Sequence, residues 1–243
     1  MFKLRALVAA AGRGTRSGLP YPKTLFPIQG IPILIRIARL LQPYDARPTV
    51  IVSPEGKDLV ARCLDDYAMA AELVTQPEPR GMGNAVLRFK ESPAFNEAEH
   101  VLLIWGDIPF IQPKTVEELV TSHLEQLNDF TLVTKRVDKA YTIVSRDLSG
   151  DVTGVHETRE LELPAPPSEG ERDIGLFIFR KQPVFTALQE NLSGKFGRVT
   201  GEHGFLYVIE HLVKKGYRVA ALPVATELDL VSLNSLADIR EYL

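Results

Sequence analysis

The 243-residue chain has one cysteine, Cys63, so it can form no internal disulfide. That excludes a stapled secreted scaffold and fits a reducing compartment. Cys63 lies in Val60-Ala61-Arg62-Cys63-Leu64, where a buried helical position is expected rather than a nucleophile. No segment approaches the roughly eighteen consecutive apolar residues of a membrane span. The opening apolar run is short and Arg16 interrupts its exit, so no signal peptide is expected and a cytoplasmic setting is. Basic residues are not in excess: 28 Lys and Arg stand against 31 Asp and Glu, for a net charge of −3. That speaks against duplex DNA or RNA as a main partner. No linker, internal repeat or low-complexity tract interrupts the chain.

Two common phosphate-binding motifs are also missing. A P-loop needs G-x-x-x-x-G-K-[ST], and no glycine sits at the required distance before a Gly-Lys pair. The dinucleotide fingerprint needs G-x-G-x-x-G, but Gly12-Arg13-Gly14-Thr15-Arg16-Ser17 has serine in the third place, with Gly18 one position late. Glu55, after the next strand, lies too far on to be the usual ribose acid.

What the chain does have is 45% hydrophobic residues, enough for a full core, and an alternation of strand and helix. Apolar runs predict strands at 4–10, 49–53, 71–75, 100–105 and 129–135. Helical spacing predicts helices at 31–41, 57–67, 83–90 and 113–124. Continuous apolar strands between helices imply a parallel sheet covered on both faces, hence an α/β fold. The second half reads as a hairpin of 141–146 and 152–157 around Ser149-Gly150, then a mobile loop over 158–172. A strand at 174–179, helices at 183–191 and 205–214, a strand at 217–222 and a closing helix at 234–243 follow. A single domain over residues 1–243 is expected, with 1–135 as a nucleotide-binding half and 136–243 as an acceptor-binding half.

Three loops after predicted strands carry the chemistry. The first is Ala9-Ala10-Ala11-Gly12-Arg13-Gly14-Thr15-Arg16, followed by Pro22-Lys23. Glycines let backbone N–H groups approach a phosphate, and Arg16 and Lys23 would neutralise its charge. The plain alternative is a turn joining strand to helix. The second is Trp105-Gly106-Asp107-Ile108-Pro109. A lone carboxylate at a strand end suits Mg²⁺, which bridges substrate phosphates and keeps several waters, but such an aspartate also serves as a helix cap. The third is Gln76-Pro77-Glu78-Pro79-Arg80-Gly81-Met82-Gly83. Its glutamine amide offers the donor and acceptor that a pyrimidine edge requires, and its glycines would let backbone lie against a flat base. Taken alone, it reads more readily as a plain strand-to-helix turn.

Together the three segments resemble the sugar-phosphate nucleotidyltransferase family, with its A-A-G-x-G-T-R…P-K, its Q…G-x-G and its later G-D. The likeness is strongest to the uridylyltransferase half of bifunctional N-acetylglucosamine-1-phosphate enzymes, and it spans nearly the whole chain. Val152-Thr153-Gly154-Val155-His156-Glu157 is similar to V-T-G-I-V-E, Gly201-Glu202…Val208-Ile209-Glu210 to G-E-Y…V-I-E, and Ser232-Leu233-Asn234-Ser235 to a V-N element. The resemblance implies a Rossmann-like mixed, mainly parallel sheet flanked by helices, of the nucleotide-diphospho-sugar transferase type. It implies an NTP and a phosphorylated small-molecule acceptor as partners and Mg²⁺ as cofactor, with no nucleic acid and no membrane. By residue, it implies Arg16 and Lys23 as catalytic. Ala10, Ala11, Gly12, Gly14, Thr15, Gln76, Gly81, Met82 and Gly106 would hold the nucleotide. Trp105, Glu157, Asp173 and Glu202 would face the acceptor, and Asp107 and Asn234 would hold the metal.

Departures from the family pattern gather on the acceptor side. Its N-T-G reads Asp173-Ile174-Gly175, its Y-G-R-I reads Tyr141-Thr142-Ile143-Val144, its tyrosine before Gly-Asp is Trp105, and its G-T-G is Gly81-Met82-Gly83. Asp173 is expected either to exchange a neutral amide for a carboxylate beside the acceptor or to sit outside the pocket. His203 is expected to face solvent at a helix start, the alternative being the acceptor pocket beside Glu202. The relatives' left-handed β-helix, and with it acetyl transfer, is not expected in a chain ending at Leu243. Alternatives are a cytidylyltransferase acting on a non-sugar phosphate and a non-catalytic module that binds sugar nucleotides.

Overall fold

The computed structural model describes residues 3–12, 18–161 and 169–242. Residues fall into two compact units interleaved along the chain. The first takes Met1–Pro79, Ala85–Pro113 and Thr226–Leu243; the second takes Arg80–Asn84 and Lys114–Ala225.

In the first unit β1 (Leu4–Ala9) is followed by the two-residue strands β2 (Pro27–Ile28) and β3 (Ile31–Pro32), then α1 (Ile33–Leu41), β4 (Thr49–Val52), α2 (Lys57–Asp66) and β5 (Glu72–Thr75). Next come α3 (Met82–Leu87), whose first turn belongs to the second unit, α4 (Ala94–Glu97) and β6 (His100–Trp105). Strand β1 pairs in parallel with β4 and with β6, and β4 pairs in parallel with β5. Val8, Val50, Leu102 and Ile104 have no exposed surface, as strands covered on both faces require. Helix α1 lays Leu34, Ile37, Ala38 and Leu41 into this core. It begins at Ile33, two residues later than the apolar spacing predicts. Pro32 holds extended backbone at the cap, and a residue before proline, here Ile31, is driven out of the α region into β3.

In the second unit α5 (Pro113–Glu125) leads to β7 (Phe130–Asp138), the hairpin β8 (Thr142–Arg146) and β9 (Val152–Glu157), β10 (Glu169–Arg180), α6 (Lys181–Gln189), α7 (Tyr207–Lys214) and β11 (Val219–Leu222). Strand β7 pairs antiparallel with β10 and parallel with β11. Its core is aromatic: Phe130 stacks on Phe179 at 5.6 Å, and Phe177 meets Phe205 edge-on at 5.4 Å. Of these five strand pairings four are parallel, so the fold is α/β with a mixed, mainly parallel sheet flanked by helices.

Two expectations give way. The loop predicted over 158–172 is ordered at both described ends. A single 3₁₀ turn holds Thr158–Glu160, and β10 already begins at Glu169, where ion pairs from Arg136 of β7 to Glu169 and from Arg146 of β8 to Glu171 favour strand over the loop-like composition; residues 162–168 lie outside the described set. The closing helix is a 3₁₀ helix over Leu236–Tyr242, started by Asp238, whose Oδ2 accepts from the N–H groups of Asn234 and Ser235.

Candidate active site

The first unit builds its site where parallel strands end together. Ala9 lies level with Ile51 and with Trp105, and the next residues stay tied: Ala10 N–H donates to Ile51 O and Gly106 N–H to Ala9 O, each at 2.9 Å. Beyond such carboxyl ends lies the usual ligand crevice of an open parallel sheet. Gly106 is there because nothing else fits: a Cβ on it would stand 2.8 Å from the Ala10 Cβ and 3.0 Å from the Ala9 oxygen.

Asp107 follows at once and forms an ion pair with Lys23, both side chains being largely buried. Lys23 opens a 3₁₀ turn over Lys23–Leu25, and its Cε runs 3.8 Å from where a Gly12 Cβ would be. The first and second sequence motifs therefore meet through one charged contact. The Asp107 carbonyl accepts from Leu233 N–H at 2.9 Å, which brings the chain of Asn234 alongside. Asn234 is exposed, and its amide nitrogen donates to Ser232 Oγ at 2.9 Å. Asp107 and Asn234 thus supply hard oxygen donors from adjoining segments, the donor type that Mg²⁺ takes. Among the described residues no group of three or more His, Cys, Asp or Glu gathers as a metal cage. Trp105 is half-buried at the end of β6. Gln76 is buried one residue beyond β5, with its N–H on Val52 O at 2.8 Å. Gly14, Thr15 and Arg16 lie outside the described residues.

The second unit holds the remaining candidates. Gly81 and Met82 lie on a segment tied to His203: His203 N–H donates to Arg80 O at 2.8 Å, and Gly83 N–H donates to His203 O at 2.9 Å. Glu202 is exposed on the neighbouring position. Glu157 ends β9, half-buried, and accepts from Arg159 Nε at 2.6 Å.

Three sequence expectations are corrected here. Asp173 has no exposed surface; its Oδ1 accepts from the Thr142 hydroxyl at 2.6 Å and its Oδ2 from Gly175 N–H at 3.0 Å. Burial pushes its carboxyl up from the usual carboxylate range against those bonds, and Glu157 nearby adds to the rise. It is a core residue of β10 and not an exposed acceptor contact. The group its neighbour presents is the opposite charge: the Arg172 guanidinium lies 3.9 Å over the Tyr141 ring and donates to its hydroxyl. His203 is buried, not solvent-facing, and burial, with the Lys195 charge, lowers its pKa to about 4. Cys63 lies in α2 as expected but is only half-buried; burial and then Asp66 push its thiol up, away from nucleophilic use. A local reading of sequence periodicity misses His203 and Arg172 because their partners, Gly83 and Tyr141, are remote in the chain.

The family model for the MobA-like NTP transferase domain matches residues 6–214. The chain belongs to that family. Bifunctional protein GlmU of Pelotomaculum thermopropionicum is 29% identical over 246 residues, covering 99% of this chain and 52% of that protein. GlmU of Symbiobacterium thermophilum is 29% identical over 242 residues, covering 98% and 50%. The chain thus spans about half the length of the curated relatives it matches. A Bacillus anthracis protein assigned as a glucose-1-phosphate thymidylyltransferase, solved in complex with sucrose, superposes with a TM-score of 0.76 at 15% identity, covering 98% of this chain and 93% of that one. That likeness fixes the fold of this MobA-like domain as the nucleotidyltransferase type.

The two buried groups give opposite pH dependences. An unfolded imidazole titrates near 6.5 and His203 near 4, so the unfolded chain takes the proton first and stability falls as pH drops from 6.5 towards 4. Asp173 is raised, so the folded state resists ionising it and stability falls as pH rises through its elevated pKa. In thermal unfolding across pH, His203→Gln is expected to flatten the loss of stability between pH 6.5 and 4, and Asp173→Asn the loss that sets in as pH rises above the unfolded aspartate pKa of about 3.9. Asparagine fits this site, because its oxygen can accept from Gly175 N–H while its amide donates to Thr142 Oγ1. Asp173→Ala strands both donors and is expected to lose about 1–3 kcal/mol. Acceptor preference measured on Asp173→Asn is expected to equal that of the wild type.

Proposed function

We propose that this MobA-like domain is a Mg²⁺-dependent nucleotidyltransferase that joins an NTP, with a pyrimidine base, to a sugar 1-phosphate, releasing pyrophosphate. One observation carries the reading: Lys23 and Asp107 meet beside Gly12 at the joint ends of β1 and β6, with the chain of Asn234 alongside. Relatives named GlmU and a thymidylyltransferase assignment for the structural neighbour support the reaction class.

In this reaction an acceptor phosphate oxygen attacks the α-phosphorus, the new P–O bond forms, and the bond to the β-phosphate oxygen breaks. The acceptor phosphate is already anionic at neutral pH, so no side chain need act as general base. Catalysis is positioning and charge stabilisation. Gly12 leaves room for phosphate against the backbone. Lys23 offers its ammonium to the charge that builds on the leaving pyrophosphate. Asp107 and Asn234 would hold Mg²⁺, which when bound supplies positive charge shared between the two phosphate groups. On the acceptor side Glu157 and Glu202 would accept from sugar hydroxyls.

The test pairs each NTP with a panel of sugar 1-phosphates and polyol phosphates, with mass detection of nucleotide-linked product and assay of pyrophosphate. The expected result is product from UTP or another pyrimidine nucleotide, lost on chelation of the metal. Asp107→Ala is expected to lose several kcal/mol of transition-state stabilisation while its circular dichroism stays native. Lys23→Ala is expected to lower kcat more than it raises the acceptor KM. No linked product from any pair overturns the reading; product from ATP or GTP in preference overturns the base assignment.

A further inference from the structure

We propose that His203 is the positioning residue for base recognition, setting the stand of the Arg80–Gly83 segment through direct packing. The inference rests on the reaction proposed above. It starts from two glycines of the second unit that have no room for side chains. A Cβ on Gly81 would stand 2.5 Å from the His203 carbonyl oxygen and 2.9 Å from the Glu202 Cβ, and Gly81 is held at φ +96°. A Cβ on Gly83 would stand 2.0 Å from the Gly204 carbonyl oxygen, and 2.7 and 2.8 Å from Cδ2 and Nε2 of the His203 ring. Two backbone hydrogen bonds, Gly83 to His203 and His203 to Arg80, close the contact. The base-reading candidate is therefore a ledge laid on residues 202–204.

The imidazole is fixed on its other edges. Nε2 lies 3.1 Å from the Tyr207 hydroxyl on α7, and that hydroxyl lies 3.4 Å from the Ala187 carbonyl on α6. Phe196 bridges to His203 by backbone and lies against its ring at 5.6 Å. The far end of the same insert is gripped by Glu160, which accepts from Val199 N–H at 2.7 Å and from the Thr200 hydroxyl at 2.9 Å. Burial keeps the ring neutral at pH 7, so it acts as a flat, hydrogen-bonding spacer rather than a charge. One peptide then carries both His203, under the base segment, and Glu202, on the acceptor side. The height of the ledge sets how tightly the backbone of Gly81 and Met82 closes on a base.

The experiment compares wild type with His203→Ala, His203→Gln and Tyr207→Phe, measuring KM and kcat for the preferred NTP and the ratio of kcat/KM between pyrimidine nucleotides. His203→Ala is expected to raise the NTP KM about five- to tenfold and to compress base discrimination. Affinity for pyrophosphate alone should stay at the wild-type value, because Gly12 and Lys23 lie on other segments. His203→Gln, whose amide N–H can reach Tyr207, is expected to restore most of the discrimination, and Tyr207→Phe to lose part of it. A merely structural role would lower all parameters together or shift thermal stability alone. Unchanged discrimination in folded His203→Ala overturns the proposal. Should that variant not fold, unchanged discrimination in Tyr207→Phe does so. A wild type that makes no nucleotide-linked product overturns the reaction class instead, a result separate from any change in the variants.

Discussion

The absence of a side chain at Gly106 is the constraint on which the first unit depends. The strand ends of β1 and β6 approach so closely that a methyl group there would overlap Ala10. Overpacking of this kind typically costs about 1–3 kcal/mol and shifts backbone. Because the approach is kept, Asp107 leaves β6 within reach of Lys23, whose side chain also passes Gly12. Because the Asp107 carbonyl is then free of the strand ladder, it can take Leu233 N–H and fix the last segment of the unit. Asp229, fully buried, braces the same segment by accepting from Gln112 N–H at 2.7 Å and Thr226 N–H at 2.7 Å. The charged groups of the site are thus placed by backbone packing, and rigid placement is what electrostatic catalysis requires.

The second unit meets the same requirement by different means. Its aromatic core is capped by polar groups that are buried and matched. Asp129 accepts from Arg218 N–H and from the Arg180 guanidinium, both at 2.9 Å, and His123 Nδ1 sits 2.9 Å from Thr131 Oγ1. Asp173 and His203 belong to this class physically, since each is desolvated and each is satisfied by specific partners. Their burial makes an expected acceptor contact, Asp173, and an expected surface residue, His203, parts of the scaffold. Charge nearer the surface comes from neighbours: half-buried Arg172 beside Asp173, and exposed Glu202 beside His203.

Much of the fold was legible because buried parallel strands are apolar runs bounded by glycine and proline, a signal local to each element. The runs at 4–10, 49–53 and 100–105 became β1, β4 and β6. The start of β10 was not legible. Its first residues, Glu169 to Arg172, are charged and glycine-containing, and they read as loop until their ion pairs with Arg136 of β7 and Arg146 of β8 are known. The meeting of Lys23 with Asp107 was legible only through resemblance, for nothing in either segment alone points to the other. Asp173 misled because a polar residue at a strand start usually faces outwards. Here β10 changes register against β7 between Asp173 and Phe177, and this break in the ladder leaves the carboxyl turned onto Gly175 N–H. Cross-chain packing of this sort leaves no periodic trace.

The Lys23–Asp107 pair also decides what the resting site can accept. Largely buried ion pairs of this kind gain little net free energy, since desolvation offsets most of the Coulomb attraction. A pair so weakly favoured exchanges readily when stronger counter-charges arrive. On the proposed reaction a triphosphate brings several negative charges for Lys23, and a divalent cation brings two positive charges for Asp107. Either ligand alone would leave one member of the pair without its partner in a largely buried place, which costs more than the pair was worth. Both together replace one ion pair with two stronger contacts. On the proposed reaction, these two side chains would therefore favour nucleotide and metal entering together over either entering singly.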